Sequence, residues 1–275
     1  MTKILLPLVL ICFSTGIYSQ GLSEKKIKEI VESYKSTIET GLIIKDCGHV
    51  FDGPLFAAKQ FENRLLDASL NFNSKERKIM ANTIFKDIKR SRKIVEDHTS
   101  KGDVLTIINK ITSQLTVKNM NYKLTIIDSQ QINAFTTMGG YLYLTTGLLD
   151  FVDSYDELAF IIGHEVAHEF KLHTQRKVTK LLFSSNIFKL VRVNDFQKMV
   201  LSINSSLSAP FDQIDEYEAD KYGALLAKKA GYDVTRFGDF FKKLEKYEKR
   251  DLLTKLKSTH PFAKHRKKCM SKYIN

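Results

Sequence analysis

The chain contains the segment His164-Glu165-Val166-Ala167-His168, which reads H-E-x-x-H inside an apolar stretch. On an α-helix, His164 and His168 lie one turn apart on the same face, so they can offer two imidazole nitrogens to one metal ion. Glu165 lies about 100° round that helix and can reach a water on the metal without binding the metal itself. Zinc accepts such ligands, and a catalytic zinc site keeps one position open for water. The alternative is a solvated helix that carries two histidines.

An acidic segment at residues 215–220 can supply the ligand that two histidines and a water leave missing. Glu216 and Asp220 are four residues apart and share a helix face. Glu216 can therefore bind the metal, while Asp220 accepts the free N–H of a liganding histidine and fixes its tautomer. Ala219 and Gly223 are small, as close packing of this helix against the first one requires. The alternative is an ordinary acidic helix surface.

Several groups of residues together resemble a known family. They are H-E-V-A-H at 164–168, E-Y-E-A-D-K-Y-G at 216–223 and the S-T-H-P segment that contains His260. Upstream, the pattern continues with N-A-F at 133–135, G-G at 139–140 and G-L-L at 147–149. The combination resembles the zinc endopeptidase family that includes HtpX and the CAAX prenyl proteases. The resemblance covers roughly residues 120–268, and residues 21–115 carry no pattern that belongs to it.

The resemblance implies a mainly α-helical α+β fold with a gluzincin-like metallopeptidase core, in which the edge strand of a small β-sheet flanks the zinc helix. The residues agree, because the apolar side chains at 122, 124 and 126 alternate as in a strand, and further strands are expected at 132–135 and 141–144. An exposed edge strand can pair with an extended peptide. The residues expected to bind substrate on this edge are Asn133, Ala134 and Phe135. The alternative is that they form a core strand only.

His260 has two expected roles near the metal, both taken from its position in the resembling S-T-H-P segment. It can stabilise the oxyanion, or it can bind the metal as a fourth ligand and close the site, because a four-ligand site has no position left for water. A histidine that only stabilises its loop is the alternative. His173 also has a counterpart in the family, and it is expected to satisfy carbonyls of the last helical turn rather than to bind metal.

Hydrophobic spacing and helix-end signals predict the remaining elements. Helices are expected at 22–40, 55–70, 74–98, 103–117 and 235–253, the last with a solvated face of lysines. Ser154 and Glu157 form a capping box that opens the metal helix, which is expected to run to about His173. Asp212 and Gly231 are the expected N-cap and C-cap of the second ligand helix.

The predicted domains are a signal peptide at 1–19, an N-terminal helical region at 20–118 and a zinc metallopeptidase domain at 119–275. Lys3, the apolar run at 4–17 and the small Ser19 are typical of a secretory signal. Lipidation at Cys12 and an uncleaved N-terminal anchor are the alternatives. Secretion across the inner membrane is therefore expected, with a periplasmic or envelope-associated protein as the result.

The charge of the chain bears on its partners. Its formal net charge is +12 and its sequence pI is about 9.4, a balance that favours acidic partners such as anionic lipid head groups. No nucleic-acid motif accompanies the charge, so peripheral contact with a membrane surface is expected and nucleic acid is not. Residues 174–208 are expected to form an amphipathic lid or a membrane-touching surface. In an oxidising compartment Cys47 and Cys269 can pair.

The sequence thus predicts a zinc-dependent endopeptidase with one Zn²⁺ per chain, held by His164, His168 and Glu216. Glu165 is the expected general base. The expected substrates are unfolded or misfolded envelope proteins, bound as an added edge strand. Two alternatives remain: a zinc-stabilised, chaperone-like binding or assembly factor with latent proteolysis, and a metal hydrolase for substrates other than peptides.

Overall fold

The computed structural model of the protein describes residues 47, 50–69, 74–117, 121–184, 213–246, 260 and 263–274. The predicted signal peptide, the helix at 22–40, most of the expected lid at 174–208 and the Asp212 cap lie outside these residues. The helices are α1 (Pro54–Ser69), α2 (Ser74–Ser91), α3 (Lys101–Thr112), α4 (Thr146–Phe151), α5 (Tyr155–Phe170), α6 (His173–Ser184), α7 (Gln213–Lys229), α8 (Phe237–Lys246) and α9 (Ala263–Ile274). The strands are β1 (Ile94–Val95), β2 (Lys123–Ile127), β3 (Ala134–Thr137) and β4 (Tyr141–Thr145).

The chain divides into two compact units. The first comprises residues 1–71 and 176–202 and the second 72–175 and 203–275. In the first unit, Arg176 donates from Nε and Nη2 to the two carboxylate oxygens of Asp67, at 2.9 and 2.7 Å, and Cys47 is buried and disulfide-bonded. The second unit contains the sheet and every predicted site residue, and its Cys269 is also disulfide-bonded. The predicted pairing of Cys47 with Cys269 and the predicted domain boundaries stay predictions.

The sheet of the second unit has the strand order β1-β2-β4-β3. Strands β2 and β4 are parallel, while β1 pairs with β2 and β3 pairs with β4 in the antiparallel direction. All five residues of β4 are buried, as expected for a strand with neighbours on both sides. Strand β3 lies at an edge and makes close contact with α5. The predicted α+β, mainly helical fold with a small sheet beside the metal helix is confirmed.

Two predicted helices end earlier than expected. The helix predicted at 74–98 stops at Ser91, and the two-residue strand β1 follows it, with Ile94 paired to Ile127. A strand this short has no detectable period, so only its pairing with a distant strand reveals it. The helix predicted at 103–117 is Lys101–Thr112. Both misplacements are at helix ends, where the periodic signal is weakest.

The metal helix also ends before the predicted position. Helix α5 stops at Phe170, and Leu172 adopts a left-handed backbone conformation with φ 62°. A new helix, α6, then begins at His173. Left-handed backbone is costly for a side chain such as that of leucine, so the tertiary structure must hold this break. The predicted C-cap of α7, the helix that carries Glu216, is confirmed. Gly231 has φ 91° and donates its N–H to the carbonyl of Lys228 at 3.1 Å.

None of the helices within the described residues is long and apolar enough to cross a membrane.

Candidate active site

The start of α5 is fixed by Ser154 and Glu157, the predicted capping pair, although the glutamate bonds the residue before the N-cap instead of the N-cap itself. Ser154 Oγ accepts a hydrogen bond from the backbone N–H of Glu157 at 3.2 Å, and Glu157 Oε2 accepts one from the N–H of Asp153 at 3.0 Å. Lys243 Nζ also donates to Glu157 Oε2 at 2.6 Å, and to the carbonyl of Phe151 at 3.0 Å. Lys243 is on helix α8, whose lysines were predicted to form a solvated face, and for Lys243 that prediction is wrong. Its charge offsets that of a fully buried glutamate.

Helices α5 and α7 cross at two glycines, and this crossing builds the site. A Cβ atom on Gly163 would lie 2.5 Å from the carbonyl oxygen of Gly223, and a Cβ on Gly223 would lie 2.5 Å from His164 N. No side chain fits between the two backbones at such distances. The expected need for small residues on α7 is confirmed, and Ala219 beside the crossing is also fully buried. The close crossing places the histidines of α5 opposite the acidic face of α7.

Four predicted residues converge at this crossing: His164, His168, Glu216 and His260. One potential ligand atom from each lies within 4.8 Å of all the others, and all four residues are buried. His168 Nε2 is 2.9 Å from His164 Nε2 and 3.3 Å from Glu216 Oε1. His260 Nδ1 is 3.1 Å from Glu216 Oε1 and 3.3 Å from His164 Nε2. Three imidazole nitrogens and one carboxylate therefore face a common centre.

The chemistry of this donor set fits zinc. Imidazole nitrogens and a carboxylate oxygen are zinc ligands, and four of them make a tetrahedral set. Burial and the neighbouring His164 ring hold the pKa of His168 well below its usual range, so the ring stays neutral and keeps a lone pair to donate. Burial opposes the charge on Glu216, but Arg266 and His260 outweigh it and hold the pKa of that carboxyl well below its usual range. Both groups are thus in the protonation state that binds metal.

Asp220 lies where a residue that orients His164 would have to lie. Its Oδ1 is 2.9 Å from His164 Nδ1, on the side of the ring away from the cluster. Arg266 donates to both oxygens of Asp220, from Nε at 2.7 Å and from Nη2 at 2.6 Å, and its Nη1 contacts Glu216 Oε2. Although burial disfavours the charge on Asp220, Arg266 holds the pKa of the carboxyl below its usual value. No pattern in the sequence singles out Arg266, since it stands within a run of basic residues at 264–268.

Glu165 is buried beside the cluster but does not belong to it. Its Oε1 lies 3.4 Å from His260 Nε2, and its Oε2 has no hydrogen-bond partner among the described residues. Burial disfavours charge on the His260 ring, but the carboxylates of Glu216 and Glu165 outweigh it and raise the pKa of that histidine. His260 thus stands between the ligand cluster and Glu165, with one ring nitrogen towards each.

His173 does not satisfy helix carbonyls as predicted. It is fully buried, and its Nδ1 lies 3.1 Å from His168 Nδ1. Its Nε2 lies 3.1 Å from Glu218 Oε2 and 3.6 Å from Asp215 Oδ1. Burial opposes ionisation of Glu218, but the hydrogen bond from His173 and the nearby Lys171 lower its pKa to about 2. The break at Leu172 places His173 in contact with His168 of the metal helix. No pattern in the sequence signals that break.

The strand residues expected to bind substrate lie at the edge of the sheet. Asn133 donates its N–H to Thr145 Oγ1 at 3.0 Å, and Ala134 pairs with Leu144, so both are attached to β4. Phe135 is partly exposed and stacks on Tyr143, with ring centroids 4.6 Å apart. On its other side, β3 has no strand partner within the described part of the chain. Their contact with a substrate stays a prediction.

The two crossing helices and their donor set define a site of the metallopeptidase type. Residues 98–274 match the sequence profile of peptidase family M48. Because this match covers more than half of the chain, the chain belongs to peptidase family M48. The resemblance to a zinc metallopeptidase family, and with it the prediction of a metalloendopeptidase, is confirmed at the level of the family.

Relatives with curated descriptions agree with this assignment. Mitochondrial metalloendopeptidase OMA1 of Arabidopsis thaliana is 31% identical over 160 residues, which cover 56% of this chain and 32% of that protein. The OMA1 protein of Schizosaccharomyces pombe is 26% identical over 210 residues, covering 74% of this chain and 61% of that protein. The putative beta-barrel assembly-enhancing protease of Vibrio cholerae is 27% identical over 155 residues, covering 51% and 32%. The chain therefore spans between about a third and three fifths of these relatives' length.

Proposed function

We propose that the protein is a zinc-dependent endopeptidase that hydrolyses peptide bonds in extended segments of other proteins. The observation that supports this most strongly is the buried convergence of His164, His168 and Glu216, beside a glutamate that is not part of the ligand set. Membership of peptidase family M48 supports the same class of reaction. The set accommodates one zinc ion per chain.

Each catalytic residue has a role that follows from its position. Zinc held by His164, His168 and Glu216 would polarise the scissile carbonyl and lower the pKa of a water. Glu165 takes the proton of the attacking water and passes it to the leaving amine, a role supported by its buried carboxylate, whose Oε2 has no hydrogen-bond partner among the residues that the structure describes. Asp220, which accepts hydrogen bonds from Arg266, orients the His164 ring so that Nε2 faces the cluster.

His260 is proposed to control the site, and two roles stay open. Its Nδ1 lies among the ligand atoms, a position that supports a fourth ligand that closes the site. Its Nε2 faces Glu165 rather than the ligand atoms, an orientation that supports a role as hydrogen-bond donor to the oxyanion.

The His260→Ala variant distinguishes these roles through its casein-cleavage rate and zinc affinity. Removal of a closing ligand raises the rate and weakens zinc binding. Removal of an oxyanion donor lowers the rate by about 10²- to 10³-fold and leaves zinc binding unchanged. If neither quantity changes, both roles are refuted.

The proposed substrates are unfolded or misfolded proteins of the cell envelope. Within the described residues, β3 has no strand partner on the side away from β4, and this supports the proposal, since an extended chain can pair there through its backbone and leave side-chain preference broad. The apolar run at 4–17 supports export to the periplasm or envelope. The net charge of +12 supports peripheral contact with an anionic membrane surface.

A second candidate is a zinc-stabilised binding or assembly factor with latent proteolysis. The presence of His260 Nδ1 among the ligand atoms favours it, because a closed four-ligand site binds zinc without turnover. The Glu165→Gln variant separates the two candidates in a cell-based assay. A binding factor keeps its biological activity in this variant, whereas a peptidase loses it.

Endopeptidase activity is tested with an unfolded substrate. We expect casein to be cut at internal bonds, as mass spectrometry of the products would show, and we expect a chelator to stop the reaction and added zinc to restore it. A Glu96→Gln variant serves as the control for Glu165→Gln, because Glu96 is exposed and far from the cluster in sequence. Cleavage that persists in excess chelator would exclude the proposed reaction.

A further inference from the structure

The two histidines of the H-E-x-x-H segment have different partners on the side of the ring that faces away from the cluster. His164 Nδ1 faces a carboxylate directly, that of Asp220, at 2.9 Å. His168 Nδ1 faces another imidazole, with His173 Nδ1 at 3.1 Å. The second ring nitrogen of His173 then meets Glu218 Oε2 at 3.1 Å. The path from His168 to a carboxylate thus has one more step than the path from His164.

The hydrogen-bonding rules for imidazole allow one order of protons along this path when His168 binds metal. His168 must leave Nε2 without a proton, because that nitrogen lies in the ligand cluster. Its proton is then on Nδ1 and is donated to His173 Nδ1. His173 therefore carries its own proton on Nε2 and donates it to the Glu218 carboxylate. Each nitrogen and the carboxylate oxygen has a complementary partner in this order.

We propose that His173 and Glu218 are positioning residues that fix the tautomer and ring orientation of His168 for zinc. The proposal rests on the proposed function, since it assumes that His168 is a zinc ligand. His173 touches neither substrate nor metal and acts through His168. In this role the pair corresponds to what Asp220 does for His164, but with an imidazole placed between ring and carboxylate.

Two further features of the structure hold this path in place. Lys171 Nζ lies 3.2 Å from Glu218 Oε1, so the carboxylate is held through both oxygens. Helix α5 ends at Phe170 and α6 begins at His173, with Leu172 in a left-handed backbone conformation between them. This break places His173 next to His168. A continuous helix through residue 173 would place His173 five residues beyond His168, about 140° away round the axis. A costly backbone conformation is thus retained where it serves the geometry of a ligand.

The test is the zinc dissociation constant, measured by competition with a chelating dye. His173→Ala removes the acceptor, and we expect about a 10- to 100-fold loss of zinc affinity. His173→Asn keeps an oxygen near the former Nδ1 position, and we expect it to recover most of that affinity. Glu218→Ala leaves His173 in place but removes its anchor, and we expect a smaller loss. A His98→Ala variant is the control, because His98 lies outside the cluster and its Nδ1 bonds Ser100 N.

The outcomes separate this proposal from the proposed function. If the wild type binds no zinc, both fail. If the wild type binds about one zinc and His173→Ala and Glu218→Ala bind it within twofold of the wild type, the positioning role is overturned and the proposed function stands. A purely structural role for His173 would lower the melting temperature of the metal-free protein equally in the Ala and Asn variants and leave both dissociation constants unchanged. If His173→Ala does not fold, the Asn and Glu218→Ala variants decide.

Discussion

Arg266 is the residue on which the charge balance of the site depends. It is buried, donates hydrogen bonds to both oxygens of Asp220 and contacts Glu216. One cation therefore offsets the charges of two buried carboxylates. Local sequence patterns predicted both acids, because their spacing places them on one helix face. They did not predict the pairing of Arg266 or of the half-buried Lys243, since a basic residue that pairs across the fold has the same local context as one in solvent. Only the tertiary structure distinguishes them.

Replacing Arg266 by methionine is expected to destabilise the protein strongly. Two buried carboxylates would lose their shared partner, and breaking a buried ion pair on one side costs about 3–5 kcal/mol. The measurement is urea unfolding of the zinc-free protein. Lys268→Met is the matched control, because Lys268 is on the same helix and exposed, and it should change stability by less than about 0.5 kcal/mol. Equal effects of the two substitutions would show that Arg266 does not carry the balance.

At the scale of elements, the crossing of α5 and α7 determines the site. The capping box, the H-E-x-x-H spacing and the small residues of α7 were all predicted, because each is a local pattern with a local physical cause. Strand β1 and the break at Leu172 were not, since a two-residue strand exists only through its partner and no turn residue marks the break. Helix ends thus depend on tertiary contacts more than helix centres do.

The crossing makes Gly223→Ala a sharp test. The new Cβ would lie 2.5 Å from His164 N, so the helices must move apart, at a cost of about 1–3 kcal/mol in stability. The same movement should weaken zinc binding, because the ligands lie on both helices. Gly238→Ala is the control: no atom of the described residues lies within 4 Å of its added Cβ, and in helix α8 alanine should stabilise by up to about 1 kcal/mol. A Gly223→Ala variant as stable as wild type, with unaltered zinc affinity, would show that the crossing is not tight.

On the scale of the whole molecule, the site joins parts of the chain that are distant in sequence. Its ligand atoms come from α5, from α7 and from His260, which are separated by 44 to 96 residues. The fold class followed from the sequence, because the family motifs lie on the helices and strands that surround this site. The predicted domain boundaries stay predictions.

Because the site joins these parts, removal of zinc should lower the stability of the whole protein. Metal that binds only the folded state stabilises it by about 4 kcal/mol when free zinc is about 1,000 times its dissociation constant. We expect the melting temperature to fall in a chelator and to recover with added zinc. A Glu216→Gln variant should show a much smaller difference between the two conditions. If the melting temperature is the same with and without the chelator, zinc does not bridge these elements.

Zinc-dependent peptide hydrolysis with Glu165 as the base is tested by measuring zinc content and casein cleavage on the same preparations of wild type and Glu165→Gln. We expect about one zinc per chain in both proteins, and a cleavage rate at least about 10²-fold lower in the variant than in the wild type. This follows because Glu165 lies beside the ligand set but outside it. Cleavage by Glu165→Gln at the wild-type rate would show that Glu165 is not the general base, and an absence of zinc from the wild type would show that the four residues are not a zinc site.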